Sequence, residues 1–259
     1  MIAASATHEG AAAGRPLGRR TVRALVGAGL LLAPGLMPDQ AQAAHARFKA
    51  SQSLVSITTT HRARVHPRGN TRQVAIVDAR RPITGVRTVL PVLARTHDKG
   101  GRPWVRVRLP GRTFGRPTPP HTAWIRAWHT RRSSTPWRLL VDLSAHRVFV
   151  YLHGRKRRSF SVIVGKPSTP TPHGYFFVEE NIRMRPGAAG APFALATSAR
   201  SHVFQEFDGG PGQIALYGLV GVGGRVGTSV SHGCVRLNNR SIGWLAARIR
   251  PGVPVTIQR

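Results

Sequence analysis

The sequence contains a single cysteine, Cys234, among its 259 residues. One cysteine cannot form a disulfide within its own chain, and in an exported protein a lone thiol is either an intermolecular bridge or a reactive group. Acidic residues are also scarce, nine in all, and they form no carboxylate pair typical of a glycosidase. The chain has no His-Glu-x-x-His or Cys-x-x-Cys pattern. We therefore expect neither a metal site nor another cofactor.

Lysine is nearly absent as well, so almost all of the 39 basic residues are arginine. With nine acidic residues, the formal net charge is +30. A field this cationic attracts anionic polymers, which include nucleic acid and cell-wall polyanions. A genome rich in G and C, which favours arginine, explains the same composition without any anionic partner.

The N-terminal apolar run, residues 24–37, is too short to span a bilayer comfortably and is interrupted by Pro34-Gly35. It follows the basic residues 19–23 and precedes small residues at 41–43 that suit cleavage. This order predicts a secretory signal peptide over 1–44, with membrane contact only during export and a final location in the periplasm or cell wall. The Arg19-Arg20 pair is compatible with twin-arginine export. An uncleaved membrane anchor is the alternative.

The remaining chain divides by its hydrophobic pattern. Residues 45–73 are basic, rich in Ser, Thr and Arg, and without clean periodicity, so we predict a linker there. Residues 74–130 form short alternating runs separated by turns, which predict a small β module. Residues 136–259 begin with a meander of short apolar strands. This pattern predicts a mainly β second domain, a β-sandwich with one or two short helices.

The residue types that carry chemistry are concentrated in residues 230–238, Val-Ser-His-Gly-Cys-Val-Arg-Leu-Asn. A thiol becomes a good nucleophile when it loses its proton, and His232, Arg236 and a helix start downstream all favour the thiolate of Cys234. Gly233 permits a sharp turn and a close substrate approach. Backbone N–H groups around Gly233 and Cys234 offer an oxyanion hole for acyl transfer. The alternative, a buried structural cysteine beside a turn histidine, is disfavoured by this combination.

The string Ser231 to Asn238 closely resembles the active-site motif of the L,D-transpeptidases with a YkuD-type catalytic domain. The resemblance extends from about residue 136 to the C-terminus and includes residues 168–176, which are similar to the family's Thr-Pro-x-Gly-x-Phe segment. Residues 74–130 resemble an SH3-like β module that precedes some exported family members. The resemblance thus implies a YkuD-like β-sandwich preceded by a small SH3-like module.

The resemblance also implies a reaction. Cys234 would attack the carbonyl of an L-centred residue in a peptidoglycan stem peptide, and the terminal D-alanine would leave. A side-chain amine of a neighbouring stem would then attack the thioester and form a 3→3 cross-link, whereas attack by water would make the protein an L,D-carboxypeptidase. This chemistry needs no cofactor. The predicted catalytic residues are Cys234 and His232, with support from Ser231, Gly233, Arg236 and Tyr217.

One residue departs from the family pattern. The family has a histidine before the glycine at the end of the upstream strand, where it accepts the thiol proton, and this chain has Tyr217 there. Tyrosine has a reference pKa of about 10 and is a poor base near neutral pH. Three outcomes stay open: His232 is the base, the thiol relies on Arg236 and the backbone, or the enzyme is weakened and still binds the wall.

Peptidoglycan stem peptides are the expected partners, with anionic wall polymers as a further class, and we expect a monomer. A catalytically weakened, cationic wall-binding protein is the second interpretation. Charge alone suggests a nucleic-acid-binding protein, but the predicted signal peptide argues against specific nucleic-acid binding.

Overall fold

The computed structural model describes residues 48–113, 115–204 and 212–259. Within these ranges the chain is mainly β, as predicted, with seventeen strands and one short helix. The predicted signal peptide, residues 1–44, lies outside the described residues. In the described part of the chain, no helix is long and apolar enough to cross a membrane.

The first sheet has seven strands in the order β3-β2-β6-β5-β4-β1-β7, each antiparallel to its neighbours. Their bounds are β1 Gln52–Ile57, β2 His61–Arg64, β3 Gln73–Val77, β4 Val89–His97, β5 Pro103–Arg108, β6 Thr122–Arg126 and β7 Thr130–Thr135. In β5, the buried Val105 and Val107 alternate with arginines, and in β6 the buried Ala123 and Ile125 alternate with less buried residues. This alternation is what a sheet with one face on a core requires.

The linker predicted at 45–73 is wrong, because β1 and β2 lie inside it. Val55 and Ile57 of β1 are fully buried, and β1 pairs with both β4 and β7. The first β module also extends beyond residue 130 through β7. The apolar residues of β1 are at 54, 55 and 57, and β2 has only Ala63, so neither strand shows a clear alternation in the sequence. Whether the module is SH3-like stays a prediction.

The second sheet has eight strands in the order β10-β9-β8-β17-β12-β13-β14-β16. Their bounds are β8 Trp137–Asp142, β9 Arg147–Leu152, β10 Arg155–Ser161, β12 Gly174–Arg183, β13 Phe193–Arg200, β14 Gln213–Tyr217, β16 Val235–Arg236 and β17 Pro254–Gln258. A separate parallel pair is formed by β11 Val164–Gly165 and β15 Ser229–Ser231. The C-terminal strand β17 lies in the middle of the sheet, parallel to β8 and antiparallel to β12.

The helix α1, Asn239–Ala246, follows β16 and closes the second core. The Asn238 side chain caps it by accepting a hydrogen bond from the Ser241 N–H at 2.8 Å. Ile242 and Leu245 are fully buried at helical spacing, so the helix packs one face on the sheet. The sequence predicted a helix start downstream of Cys234, and α1, capped by Asn238, is that helix.

The two sheets belong to one compact unit, residues 46–259. Phe177 of β12 is buried in the hydrophobic core of the first sheet. Next to it, Glu179 forms an ion pair with Arg81 of the first module, and both side chains are buried. The predicted domains 74–130 and 136–259 are therefore joined by a packed junction and not only by a linker.

Candidate active site

Cys234 lies in the turn between β15 and β16, and its neighbour Ser231 closes that turn. The Ser231 hydroxyl donates to the Cys234 carbonyl oxygen at 2.6 Å and accepts a hydrogen bond from the Gly233 N–H at 3.1 Å. Gly233 has a φ of 115°, and a Cβ there would lie 3.3 Å from Cδ1 of Ile214. Glycine is thus required by both conformation and space.

A second loop holds this turn from behind. The Thr169 hydroxyl donates to the Ser231 carbonyl oxygen at 3.2 Å, and the Thr171 hydroxyl donates to the Gly233 carbonyl oxygen at 2.8 Å. Both threonines are buried. They belong to the segment at 168–176 that resembles a family motif, and its part in fixing the nucleophile turn was not predicted.

The sulfur of Cys234 faces strand β14. The Ala215 N–H donates to Sγ at 3.5 Å, and Sγ lies 3.9 Å from the Gln213 carbonyl oxygen. The Tyr217 hydroxyl lies close enough to the sulfur to lower the pKa of Cys234. A small cleft opens beside these groups, lined by Ser201, Phe204, Gly212, Gln213, Ile214, Tyr217, His232, Cys234 and Arg236.

Burial raises the pKa of the Cys234 thiol. The Ala215 N–H, the Arg236 charge and the Tyr217 hydroxyl each act in the opposite direction and do not overcome it. Arg236 favours the thiolate, as predicted, but desolvation of the anion outweighs all three groups, so the resting thiol keeps its proton near neutral pH. Its proton must therefore be removed during the reaction.

Tyr217 ends β14 and is paired in register with Arg236 on the parallel strand β16. Arg236 Nε donates to the phenol oxygen at 3.4 Å, and its Nη1 donates to the Val222 carbonyl oxygen at 3.0 Å. Burial raises the pKa of Tyr217, and the charge of the nearby Cys234 thiolate adds to that effect. The phenol is therefore a hydrogen-bond donor here and cannot accept the thiol proton.

His232 is exposed at the mouth of the cleft. Its ring centroid lies 6.1 Å from that of Phe204. Among the described residues that line the cleft, it is the one imidazole. The structure therefore brings the two predicted catalytic residues, Cys234 and His232, to the same cleft.

Two groups that we expected to act on the thiol or on an oxyanion have other hydrogen-bond partners. The Gly233 N–H is held by the Ser231 hydroxyl, so its predicted oxyanion role is corrected, since this donor is used inside the turn. The start of α1 is capped by Asn238 and does not abut the thiol in sequence. The Cys234 N–H as an oxyanion donor stays a prediction.

Several contributors to the site were not predicted. Ala215 and Gln213 contact the sulfur through backbone atoms, which no residue type in the sequence can indicate. Their position beside Cys234 follows from the pairing of β14 with β16. Ser201 and Phe204 come from residues 183–210, whose irregular sequence is compatible with a loop over the active site. No three His, Cys, Asp or Glu side chains lie close enough to hold a metal ion in the part of the chain that the structure describes.

Comparison with known proteins gives a family match for the second sheet. Residues 136–257 match the YkuD family, described as the L,D-transpeptidase catalytic domain. The chain is 29% identical over 126 residues to the YkuD protein of Bacillus subtilis, spanning 48% of this chain and 67% of that protein. It is also 29% identical over 124 residues to the YkuD protein of Bacillus licheniformis, spanning 47% and 66%. The match thus spans about two thirds of these relatives.

Among solved structures, an L,D-transpeptidase from Mycobacterium tuberculosis is 15% identical. That similarity covers 79% of this chain and 96% of the other, with a TM-score of 0.42.

Proposed function

We propose that this chain, whose residues 136–257 belong to the YkuD family of L,D-transpeptidase catalytic domains, is an acyltransferase that uses Cys234 as its nucleophile. Its substrates would be peptidoglycan stem peptides. The observation that carries the proposal is the placement of Cys234, on a rigid turn, with its sulfur against β14 and in the same cleft as His232.

The reaction begins with removal of the thiol proton. His232 is the proposed acceptor, since it is the imidazole of the cleft and Tyr217 carries its own proton. The sulfur then bonds to the carbonyl carbon of the L-centred residue. The C–N bond to D-alanine breaks, and the leaving amine takes the proton that His232 received.

The second half-reaction releases the thioester. A side-chain amine of a neighbouring stem attacks the carbonyl carbon, the C–S bond breaks, and a 3→3 cross-link forms. Water as the attacking group gives a carboxylate and makes the protein an L,D-carboxypeptidase. The Tyr217 hydroxyl favours the thiolate, and in this proposal it stabilises the sulfur anion both when it forms and when it leaves.

The proposal is tested by incubating the purified protein with a carbapenem and measuring its intact mass. A cysteine acyltransferase of this family gains one adduct, and the Cys234→Ala variant gains none. Mass spectrometry of muropeptides after incubation with the two proteins then separates cross-links from shortened stems. A folded, reduced protein without adduct and without product would overturn the acyltransferase proposal.

A second function is favoured by the same cleft. The raised pKa of Cys234 and the tyrosine in place of the family histidine both reduce nucleophilic reactivity. A catalytically weakened protein would still expose the cationic edge strand β10, whose residues Arg155 to Arg158 are all exposed. Such a protein would bind anionic wall polymers without acylation.

The location of the reaction is also part of the proposal. The signal peptide proposed at 1–44, with its Arg19-Arg20 pair, would direct the chain to the periplasm or cell wall. Secretion of a reporter fused to residues 1–44 tests this. Retention of the reporter in the cytoplasm would contradict it.

A further inference from the structure

The active-site cleft has one wall that is held by the first sheet. We define the strap as residues 109–113 and 115–121, the connection between β5 and β6. At its start, the Gly111 N–H donates to Oε1 of Glu179 on β12 at 2.5 Å. At its end, Arg200 of β13 donates from Nη1 to the Pro119 carbonyl oxygen at 2.6 Å. The strap is therefore fixed at both ends to the catalytic sheet.

Arg112 extends from the fixed strap to the segment that follows β13. Its Nη2 donates to the Ser201 carbonyl oxygen at 3.0 Å, and its Nη1 donates to the Phe204 carbonyl oxygen at 3.1 Å. A guanidinium presents these two donors in a rigid plane. The two carbonyl groups, three residues apart, are thus held at a fixed separation by one side chain.

The segment that Arg112 holds is a closed turn. The Ser201 hydroxyl accepts hydrogen bonds from the N–H groups of Val203 at 3.2 Å and Phe204 at 2.9 Å. The Ser201 N–H donates to the Gly212 carbonyl oxygen at 2.9 Å. Because these hydrogen bonds connect the residues of the turn to one another, Arg112 fixes the whole turn, residues 201–204.

This turn forms part of the cleft that contains the nucleophile. Ser201 and Phe204 both line the cleft, and the Phe204 ring lies beside that of His232. We propose that Arg112 is a positioning residue: it fixes the 201–204 turn, and through Phe204 it sets the place of the His232 ring relative to Cys234. The catalytic part of this proposal rests on the proposed function above. The hydrogen bonds from Arg112 to the 201–204 turn do not depend on that function.

The test compares three variants with the wild type. Arg112→Gln removes the planar fork, whereas Arg112→Lys keeps the charge without two coplanar donors. Arg116→Gln is the matched control, because Arg116 lies on the same strap but pairs with the half-exposed Asp78. Phe204→Leu is a separate variant that removes the ring beside His232 and leaves Arg112 in place.

Two readouts do not depend on any substrate. Hydrogen exchange of peptides covering 198–204 reports on the turn, and the pH profile of Cys234 alkylation by iodoacetamide reports on the thiol. We expect Arg112→Gln to lose protection at 198–204 and to change the alkylation profile in the same direction as Phe204→Leu. Arg112→Lys should lie between it and wild type, and Arg116→Gln should match wild type.

Carbapenem acylation supplies the catalytic readout. We expect Arg112→Gln to slow acylation about tenfold, because a small misplacement of a catalytic group has effects of this order. Unchanged protection and an unchanged alkylation profile in Arg112→Gln would overturn the proposal, as would equal changes in Arg116→Gln. If the wild type is never acylated while the two substrate-free readouts respond as expected, the proposed function fails and the positioning contact stands.

Discussion

The Tyr217 phenol oxygen lies 3.4 Å from Nε of Arg236, and the two residues are register partners on the parallel strands β14 and β16. The phenol and the Arg236 charge both lower the pKa of the Cys234 thiol. The two groups stabilise negative charge on the sulfur but offer no base, which leaves proton removal to His232 in the proposed mechanism.

Replacing Tyr217 by phenylalanine should make the thiol less acidic. The hydroxyl lowers the pKa of Cys234, so its loss adds to the increase that burial already causes. The rate of iodoacetamide alkylation measured against pH should shift to higher pH, because the hydroxyl no longer favours the thiolate. An unshifted profile would show that the phenol does not contact the thiolate.

Replacing Tyr217 by histidine should accelerate the reaction. It places an imidazole at the position where the family has its base, beside a thiol that otherwise keeps its proton. General-base catalysis contributes about 10²–10⁴-fold, and we expect at least about tenfold here because His232 already contributes. Carbapenem acylation rates at pH 7 measure the effect. If Tyr217→His is no faster than wild type, the tyrosine is not what limits the enzyme.

The buried ion pair between the two sheets gives a stability prediction. Burial raises the pKa of Glu179, and Arg81 lowers it. Arg81→Met leaves the buried carboxylate without its cation and should reduce the free energy of unfolding by about 3–5 kcal/mol at pH 7.5. Arg116→Met, at the exposed pair with Asp78, should lose less than about 1 kcal/mol.

The pH dependence of this loss has a defined sign. Without Arg81 the pKa of Glu179 in the folded state rises further above its unfolded value. The stability due to protonated Glu179 is present below the unfolded pKa and is lost as pH rises through the folded pKa. Urea denaturation should therefore show a smaller loss for Arg81→Met at pH 5 than at pH 7.5. A loss that is equal at both values would mean that Glu179 is not the group left uncompensated.

The sequence predicted the mainly β class well because β5 alternates valine with arginine and β9 is a run of apolar strand formers. It failed at β1 and β2, which are short and partly polar, and at β7, which is polar throughout. Burial at alternate positions of a short strand is a tertiary property. The pairing of β1 with β4 and β7, not local propensity, makes these segments strands.

Residue types that carry chemistry were predictable at the site, and their electrostatic balance was not. Cys234 and His232 line the same cleft, and Tyr217 lines it with them. The motif gives no measure of burial, however, and burial decides the direction of the thiol pKa. Arg112 acts from 122 positions upstream of Cys234 in sequence, so no local pattern could connect it to the cleft.

Two glycines allow a matched test of how tightly the site is packed. A Cβ on Gly218 would overlap the Ala191 carbonyl oxygen and approach Oδ1 of Asn239 to 2.9 Å. The same Oδ1 accepts the Leu219 N–H at 2.9 Å, so neither neighbour can move without losing contacts. Gly218→Ala should therefore displace the end of β14, with Tyr217, and lower the free energy of unfolding by about 1–3 kcal/mol.

Gly243 is the control, because it lies inside α1 and a Cβ there would be 4.0 Å from Cε2 of Phe193. Gly243→Ala should raise the free energy of unfolding by about 0.5–1 kcal/mol, since alanine is the better helix former. Urea denaturation measures both variants, and iodoacetamide alkylation of Cys234 reports on the site. We expect slower or faster alkylation only in Gly218→Ala. Equal stability and equal alkylation in the two variants would mean that the end of β14 can move without cost, so that packing does not hold Tyr217 near the sulfur.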